Sequence, residues 1–348
     1  MAGAVNRRNL VSKRIEQMTD KELLDTRICD LGLRIEESAL QDSVDEMYGE
    51  LADRGIEFRP RCWLSNDWFS PDGIPGIAIP FYLAHPRLQR LERKQMLDVE
   101  GGTRSWCMRI LRHEAGHALD TAYRLHRRAG YRQVFGDYNE PYPEFYRPRP
   151  GSKSFVIHLE PWYAQSHPAE DFAETFAVWL KPDGNWREEY RGWKALEKIE
   201  LVDEMMKSIA GRKPSVVKRR QVEPMSALRL TLREHYRQRH EAFRVAVSDA
   251  TLDQHLTRLF AKGLHPRRAM PAVAFLIEHR SAARKIVAQW TGEYQYNIDQ
   301  ILGQMISRCR VLGLTVKGDI AELQQRLVSM LTVITMSHLR GYSFRVAL

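Results

Sequence analysis

Two histidines stand four residues apart, with a glutamate directly after the first, in Arg112-His113-Glu114-Ala115-Gly116-His117-Ala118-Leu119-Asp120. On an α-helix, residues four apart share a face, so His113 and His117 can reach one metal ion while Glu114 sits beside them, one residue round. Two imidazoles, an open coordination position and a neighbouring carboxylate are what zinc-assisted hydrolysis requires. The alternative is that both histidines are ordinary helix residues, one satisfied in a core and one solvated.

The flanks supply the helix. Trp106, Ile110, Ala118, Leu119 and Ala122 form an apolar stripe and Gly101-Gly102 marks a turn before it, which predicts a helix from about Thr103 to about Arg128. A second helix follows Tyr163-Ala-Gln-Ser-His-Pro, with Pro168 suited to its first turn and Pro182 to its end. Phe172, Ala173, Phe176, Ala177 and Leu180 form its buried stripe. Glu170 and Glu174, one turn apart, border that stripe, a costly place for two carboxylates unless a cation neutralises them. Solvated first-turn acids favoured by the helix dipole are the alternative. Together the two helices offer His, His and Glu, the ligand set of a gluzincin-type zinc site with a fourth position left for water.

These motifs, His113-Glu-Ala-Gly-His117-Ala-Leu-Asp followed by Pro168-Ala-Glu170-x-Phe-Ala-Glu, resemble the catalytic domains related to anthrax lethal factor and the Mlc-titration-factor peptidases. With Ile74-Pro-Gly-Ile-Ala-Ile-Pro-Phe-Tyr added, the chain is more similar still to the bacterial zinc-binding metallopeptidases. The resemblance covers about Leu51 to Leu180. It implies a zincin-like fold, a zinc cofactor, Glu170 as third ligand, and Tyr163, seven residues before it, as the residue that assists the transition state. Two features depart from those relatives: Asp171 stands where they usually carry an aromatic residue, and there is no cysteine-rich ribbon at the start.

On this reading the chain is a zinc-dependent metallopeptidase that hydrolyses peptide bonds through a zinc-bound water. Its metal ligands are His113, His117 and Glu170, with Glu114 as general base and Tyr163 stabilising the oxyanion. Glu174 and Asp120 are candidates to accept the free ring N–H of a metal-bound histidine and so fix its tautomer. His158 and His167 are possible replacement ligands. Two rivals remain, a zinc amidohydrolase acting on a non-peptide amide and a helical interaction protein with an idle zinc site. The sequence leaves open the natural substrate, the oligomeric state and any activation step.

The elements that must position these residues fit an α+β zincin-like domain with a small sheet, followed by a mainly α-helical C-terminal region. A length of 348 residues is enough for two domains of ordinary size, and 43% hydrophobic with 28% charged residues describes a globular chain. The expected division is a mobile basic tail over 1–18, a catalytic domain over 19–210, a basic linker over 211–224 and a helical domain over 225–348. Thr19 to about Gly55 reads as helical, with Thr19 and Glu22 as a capping box. Pro75 and Pro80 bracket an edge strand at Ile77 to Ile79, to which an extended peptide could pair. Ser154 to Leu159 reads as another strand. Between the two motif helices, the loop from Gly130 to Ser152 carries Tyr131, Phe135, Tyr138, Tyr142, Phe145 and Tyr146, suited to a lid or a substrate wall. The C-terminal part predicts five helices, with Asp249 and Asp319 as caps.

Composition narrows the setting. A formal charge of +9 comes from 53 basic against 44 acidic residues, an excess spread over a mixed surface, so a nucleic-acid partner is not expected. Arg229, Arg233, Arg237, Arg239 and Arg244 make one helix basic, but Glu234 and Glu241 between them fit a solvated face. Cys29, Cys62, Cys107 and Cys309 form no C-x-x-C pair, and no apolar run approaches membrane-spanning length. A reduced, cytoplasmic protein with a peptide or protein substrate and no membrane partner is expected.

Overall fold

The computed structural model describes residues 13–143, 145–159, 162–262, 269–341 and 344–345. They fall into two compact units: residues up to 95, 99–236 and from 345 make the first, residues 96–98 and 237–344 the second. Both are mainly helical, and the first also carries a small parallel sheet. Among the described residues no helix is long and apolar enough to cross a membrane.

The first unit begins earlier than the sequence suggests. Of the expected tail, residues 1–12 lie outside the described residues, and 13–17 are helical with Ile15 buried. Thr19 then caps a short helix, Asp20–Leu24; its hydroxyl accepts from the Glu22 N–H while Glu22 Oε2 accepts from the Thr19 N–H at 2.8 Å. The helix expected to run on to Gly55 is broken by 3-10 turns at Ile28–Leu31 and Ile35–Glu37. Gly32 between them sits at φ 68°, a conformation that glycine alone adopts without strain. Helix α1 (Leu40–Asp53) follows.

Strands β1 (Arg61–Ser65) and β2 (Gly76–Pro80) pair in parallel, Cys62 opposite Ile77 and Leu64 opposite Ile79. β2 is buried throughout, and at its centre the Ala78 N–H donates to the Phe69 carbonyl at 2.8 Å. The edge expected to receive a peptide is thus occupied at Ala78 by the chain itself. Helix α2 (Pro86–Met96) leads to α3 (Arg104–Tyr123), which carries both histidines. The Thr103 side chain accepts from the Trp106 N–H to cap α3, and Arg124 ends it in the left-handed conformation at φ 52°, short of the expected Arg128. A buried two-pronged pair, Arg112 Nε to Glu50 Oε2 at 2.8 Å and Nη2 to Oε1 at 2.5 Å, ties α3 to α1.

After a largely irregular segment comes α4 (Pro168–Leu180), started by Pro168 and capped by His167, whose side chain accepts from the Ala169 N–H. Every residue from Ala169 to Leu180 is buried, so this helix has no solvent face to hold its acids. The strand expected over 154–159 is absent because side chains take its backbone groups. The Ile157 N–H donates to the Tyr190 hydroxyl at 3.1 Å and the Leu159 N–H to Glu174 Oε2 at 2.7 Å. Helix α5 (Ala195–Ile209) packs on α4 through a buried ion pair, Lys198 with Asp171. The segment 211–224 is not a free linker: Trp63 Nε1 donates to the Val222 carbonyl at 2.9 Å and Ser65 Oγ to that of Glu223 at 2.7 Å. Residues beyond it still belong to the first unit, the Ile28 N–H donating to the Leu230 carbonyl at 3.0 Å. The division between units falls after Tyr236, inside the helix Leu232–Ala242.

The second unit is built on α6 (Asp249–Leu259), α7 (Ala272–Thr291), α8 (Gln295–Leu312) and α9 (Ile320–Gly341), around a core that includes Leu256, Phe275, Leu302 and Leu327. Ser248, not Asp249, caps α6 because its hydroxyl reaches the Thr251 N–H; Asp319 does cap α9, accepting from the Glu322 N–H at 2.9 Å.

The approach of α3 to α4 fixes the distance between the histidines and the glutamates. A Cβ added at Gly116 would lie 3.0 Å from Ala173 Cα and 3.2 Å from Phe176 Cβ, atoms that no rotamer change can move. Alanine improves helix propensity by up to ~1 kcal/mol, whereas overpacking costs ~1–3 kcal/mol. Gly116→Ala should therefore be destabilising by about 1 kcal/mol net, read as a lower urea midpoint with unchanged slope. A midpoint equal to or above the parent's would show that the helices can part freely.

Candidate metal centre

Three side-chain atoms converge between α3 and α4. His117 Nε2 lies 3.2 Å from His113 Nε2 and 3.2 Å from Glu170 Oε2, and His113 Nε2 lies 3.1 Å from the same carboxylate oxygen. On a tetrahedral zinc with bonds of ~2.05 Å, neighbouring ligand atoms are about 3.3 Å apart. The triangle is thus of the size that one zinc ion spans, and among the described residues it forms a His113, His117 and Glu170 group able to hold a metal.

The donor set points the same way. Glu174 Oε1 accepts from His113 Nδ1 at 2.9 Å, which leaves the His113 Nε2 lone pair facing a carboxylate oxygen and a second imidazole nitrogen. Such a set of acceptors is stable only around a cation. Burial opposes charge on His113, yet Glu170 and Glu174 together outweigh it and hold its pKa well above the ordinary 6.5. Burial likewise opposes charge on His117, and Glu170 raises it above the ordinary value. Glu170 and Glu174 respond in kind. Burial works against their ionisation, but the imidazoles and hydrogen bonds keep Glu170 well below, and Glu174 below, the usual carboxylate range.

Each carboxylate oxygen in this group has one defined task. Glu174 Oε2 accepts the Leu159 N–H at 2.7 Å, so both its oxygens are committed and it cannot turn towards the His117 side. Glu170 Oε1 accepts the Tyr142 hydroxyl at 2.8 Å, which leaves Oε2 for the triangle. Glu114, next to His113, is buried, and its Oε2 has no hydrogen-bond partner among the described residues. Burial pushes the Glu114 carboxyl above its ordinary value; His113 and His117 pull it down, and Glu170 and Asp67 push it up again. The His117 side chain is 18% exposed against 4% for His113, so the centre opens on the His117 side.

Tyr163 stands against this group, its ring centroid 5.8 Å from that of His113. Burial, then the charge of Glu170, holds its phenol well above the ordinary range, with Glu114 among the other groups that it feels. The remaining expected residues stand elsewhere. Asp120 is turned away from His117: Oδ1 accepts the His126 N–H at 2.7 Å and Oδ2 faces His126 Nδ1 at 2.9 Å, because the reversal at Arg124 brings the chain back over the helix end. His158 Nε2 donates to the Arg109 carbonyl at 2.9 Å, and His167 uses Nδ1 as the cap of α4 and Nε2 on the Glu140 carbonyl at 2.8 Å. Neither joins the triangle.

Two side chains that matter here were not singled out by sequence. Tyr142 was one aromatic among six in its loop, and nothing in a spacing of 28 residues links it to Glu170. Lys198 neutralises Asp171, whose carboxyl burial pushes up to about 7 against the pull of that lysine. A lone lysine amid the stripe of Leu196, Ile199 and Val202 was the available signal.

Residues 91–186 match the family model described as "Putative zinc-binding metallo-peptidase", a span that includes all of α3, α4 and the loop between them. No curated protein matches, and no solved structure does.

A metal and a proton compete for the two Nε2 lone pairs. Since Glu170 and Glu174 raise the imidazole pKa values above the ordinary one, protons compete with the metal up to a higher pH than at ordinary imidazoles. Zinc affinity should therefore keep rising with pH above neutrality, read by chelator competition from about pH 6 to about pH 9. An affinity that levels off by about pH 7 would mean that the imidazoles titrate as ordinary ones.

Proposed function

We propose that this chain is a zinc metallopeptidase of gluzincin type, with a zincin-like catalytic unit in which His113, His117 and Glu170 hold the ion. The observation that carries this reading is the zinc-sized triangle of Nε2, Nε2 and Oε2 with the unpartnered Glu114 oxygen beside it. A purely structural site has no use for a buried carboxylate at that position. The matched zinc-binding metallopeptidase family supports the same reaction class. Four cysteines present as thiols support a reducing, cytoplasmic setting.

Zinc bound by these three side chains would supply a Lewis acid that acidifies a water molecule and polarises the scissile carbonyl. Glu114 does the proton work. Its Oε2 takes a proton from the attacking water as the new C–O bond forms, then delivers that proton to the departing amide nitrogen as the C–N bond breaks. A pKa raised by burial suits both halves of that task, because the carboxyl must accept and then release. Tyr163, kept protonated by burial and by Glu170, donates its hydroxyl to the oxygen on which negative charge develops. Glu174 holds His113 in the tautomer that presents Nε2, and the Leu159 N–H holds Glu174 in turn.

Zinc analysis combined with a peptide-cleavage screen tests this assignment. Glu114→Gln should keep about one zinc per chain and lose cleavage, since glutamine preserves shape and removes the base. Equal cleavage by parent and variant would sink the mechanism. Tyr163→Phe should lower kcat by about 10²-fold with zinc content and KM little changed, because its hydrogen bond strengthens only in the transition state. A nearly normal kcat would reduce Tyr163 to a packing role.

A further inference from the structure

Between α3 and α4, Tyr142 reaches one of the proposed metal ligands. Tyr142 donates its hydroxyl to Glu170 Oε1 at 2.8 Å while its ring stacks on His167, centroids 3.8 Å apart and planes 15° from parallel. His167 is itself fixed. Its Nδ1 accepts the Ala169 N–H at 3.1 Å, so Nε2 carries the proton and donates to the Glu140 carbonyl at 2.8 Å. The cap of the helix that carries Glu170 and the loop that carries Tyr142 are thereby one unit, closed by a ring stack and two hydrogen bonds.

Without a donor on Oε1, nothing described here would distinguish the two oxygens of Glu170, and a carboxylate beside a metal can bind through one oxygen or both. We infer that Tyr142 is a positioning residue that ties up Oε1 so that Glu170 meets the metal through Oε2 alone, keeping a coordination position free. The inference rests on Glu170 being a ligand, as proposed above. It adds that the aromatic loop acts on the ligand through Tyr142. The same loop has a second anchor: Tyr138 stacks on His126 at 4.1 Å and donates its hydroxyl to Asp72 Oδ1 at 3.0 Å rather than to Glu170. That anchor is the internal control.

The test uses Tyr142→Phe, which keeps the stack on His167 and removes only the hydroxyl, beside Tyr138→Phe and Glu170→Ala. Zinc affinity is measured by chelator competition, and coordination by the visible spectrum of the cobalt-substituted protein, whose bands weaken when a four-coordinate site gains a fifth ligand. Tyr142→Phe should bind zinc about 10 to 100-fold more weakly, the usual loss for a group that holds a ligand in place. Its cobalt spectrum should shift towards five-coordination, while Tyr138→Phe should match the parent in both. Parent-like affinity and spectrum in Tyr142→Phe, with Glu170→Ala losing the metal, would overturn this inference and leave the ligand set standing. Equal losses in Tyr142→Phe and Tyr138→Phe would also overturn it, since any loosening of the loop would then suffice. Glu170→Ala with parent-like zinc affinity would overturn the ligand set itself, and this inference with it.

Discussion

Glu170 and Glu174 are buried one turn apart on a helix that is buried all round, and most of the surrounding arrangement follows from neutralising them. An uncompensated buried carboxylate costs several kcal/mol, and a whole domain is stable by only ~5–15 kcal/mol. Two of them cannot be tolerated without partners. The helix meets the demand in more than one way. Glu174 takes an imidazole N–H and a backbone N–H, one on each oxygen. Glu170 takes one phenol and two imidazole nitrogens whose lone pairs also need a cation. Asp171, the next residue, is given Lys198, and the help is incomplete: Oδ1 has no partner among the described residues and the carboxyl is pushed up to about 7.

These partners are in reach only because two backbones come close. Gly116 lies between the two histidines in sequence and faces Ala173 and Phe176, which lie between and just beyond the two glutamates. Small residues at the crossing set the separation, and the four chemical side chains sit immediately to either side of it. The Arg112 to Glu50 pair ties the same helix to α1, so the helix that carries the histidines is held by two neighbouring helices.

The legible part of this arrangement is the part that one helix encodes by itself. A four-residue interval becomes adjacency on any α-helix, so His113 with His117 and Glu170 with Glu174 could be paired from sequence, while the Gly101-Gly102 turn and Pro168 marked where α3 and α4 begin. Asp120 was a candidate to accept the ring N–H of a metal-bound histidine. It failed because the left-handed residue at Arg124 folds His126 back onto that carboxylate, an event outside the helix. Tyr142 and Lys198 were hidden for the reason that governs tertiary contacts generally: they meet their carboxylates across 28 and 27 residues of intervening chain. The short strand expected at 154–159 does not form, because its Ile157 and Leu159 N–H groups are taken by the Tyr190 hydroxyl and the Glu174 carboxylate, partners that lie far along the chain.

Roles among the glutamates follow from how one shared interface divides them. All three glutamates are buried, so burial alone would push each carboxyl upward. Glu170 and Glu174 escape because hydrogen-bond donors and imidazoles face their oxygens directly, and both are held below the usual range. Glu114 lies one residue round the helix from the same imidazoles, close enough to feel them but with no donor on Oε2, and it stays above. Groups of one chemical type whose environments drive their pKa values apart are suited to different tasks. The lowered pair are permanent anions, fit to hold a cation and to orient its histidine ligand. The raised one holds a proton more readily than an ordinary carboxylate, which is what the proposed mechanism asks of Glu114 and of neither other glutamate.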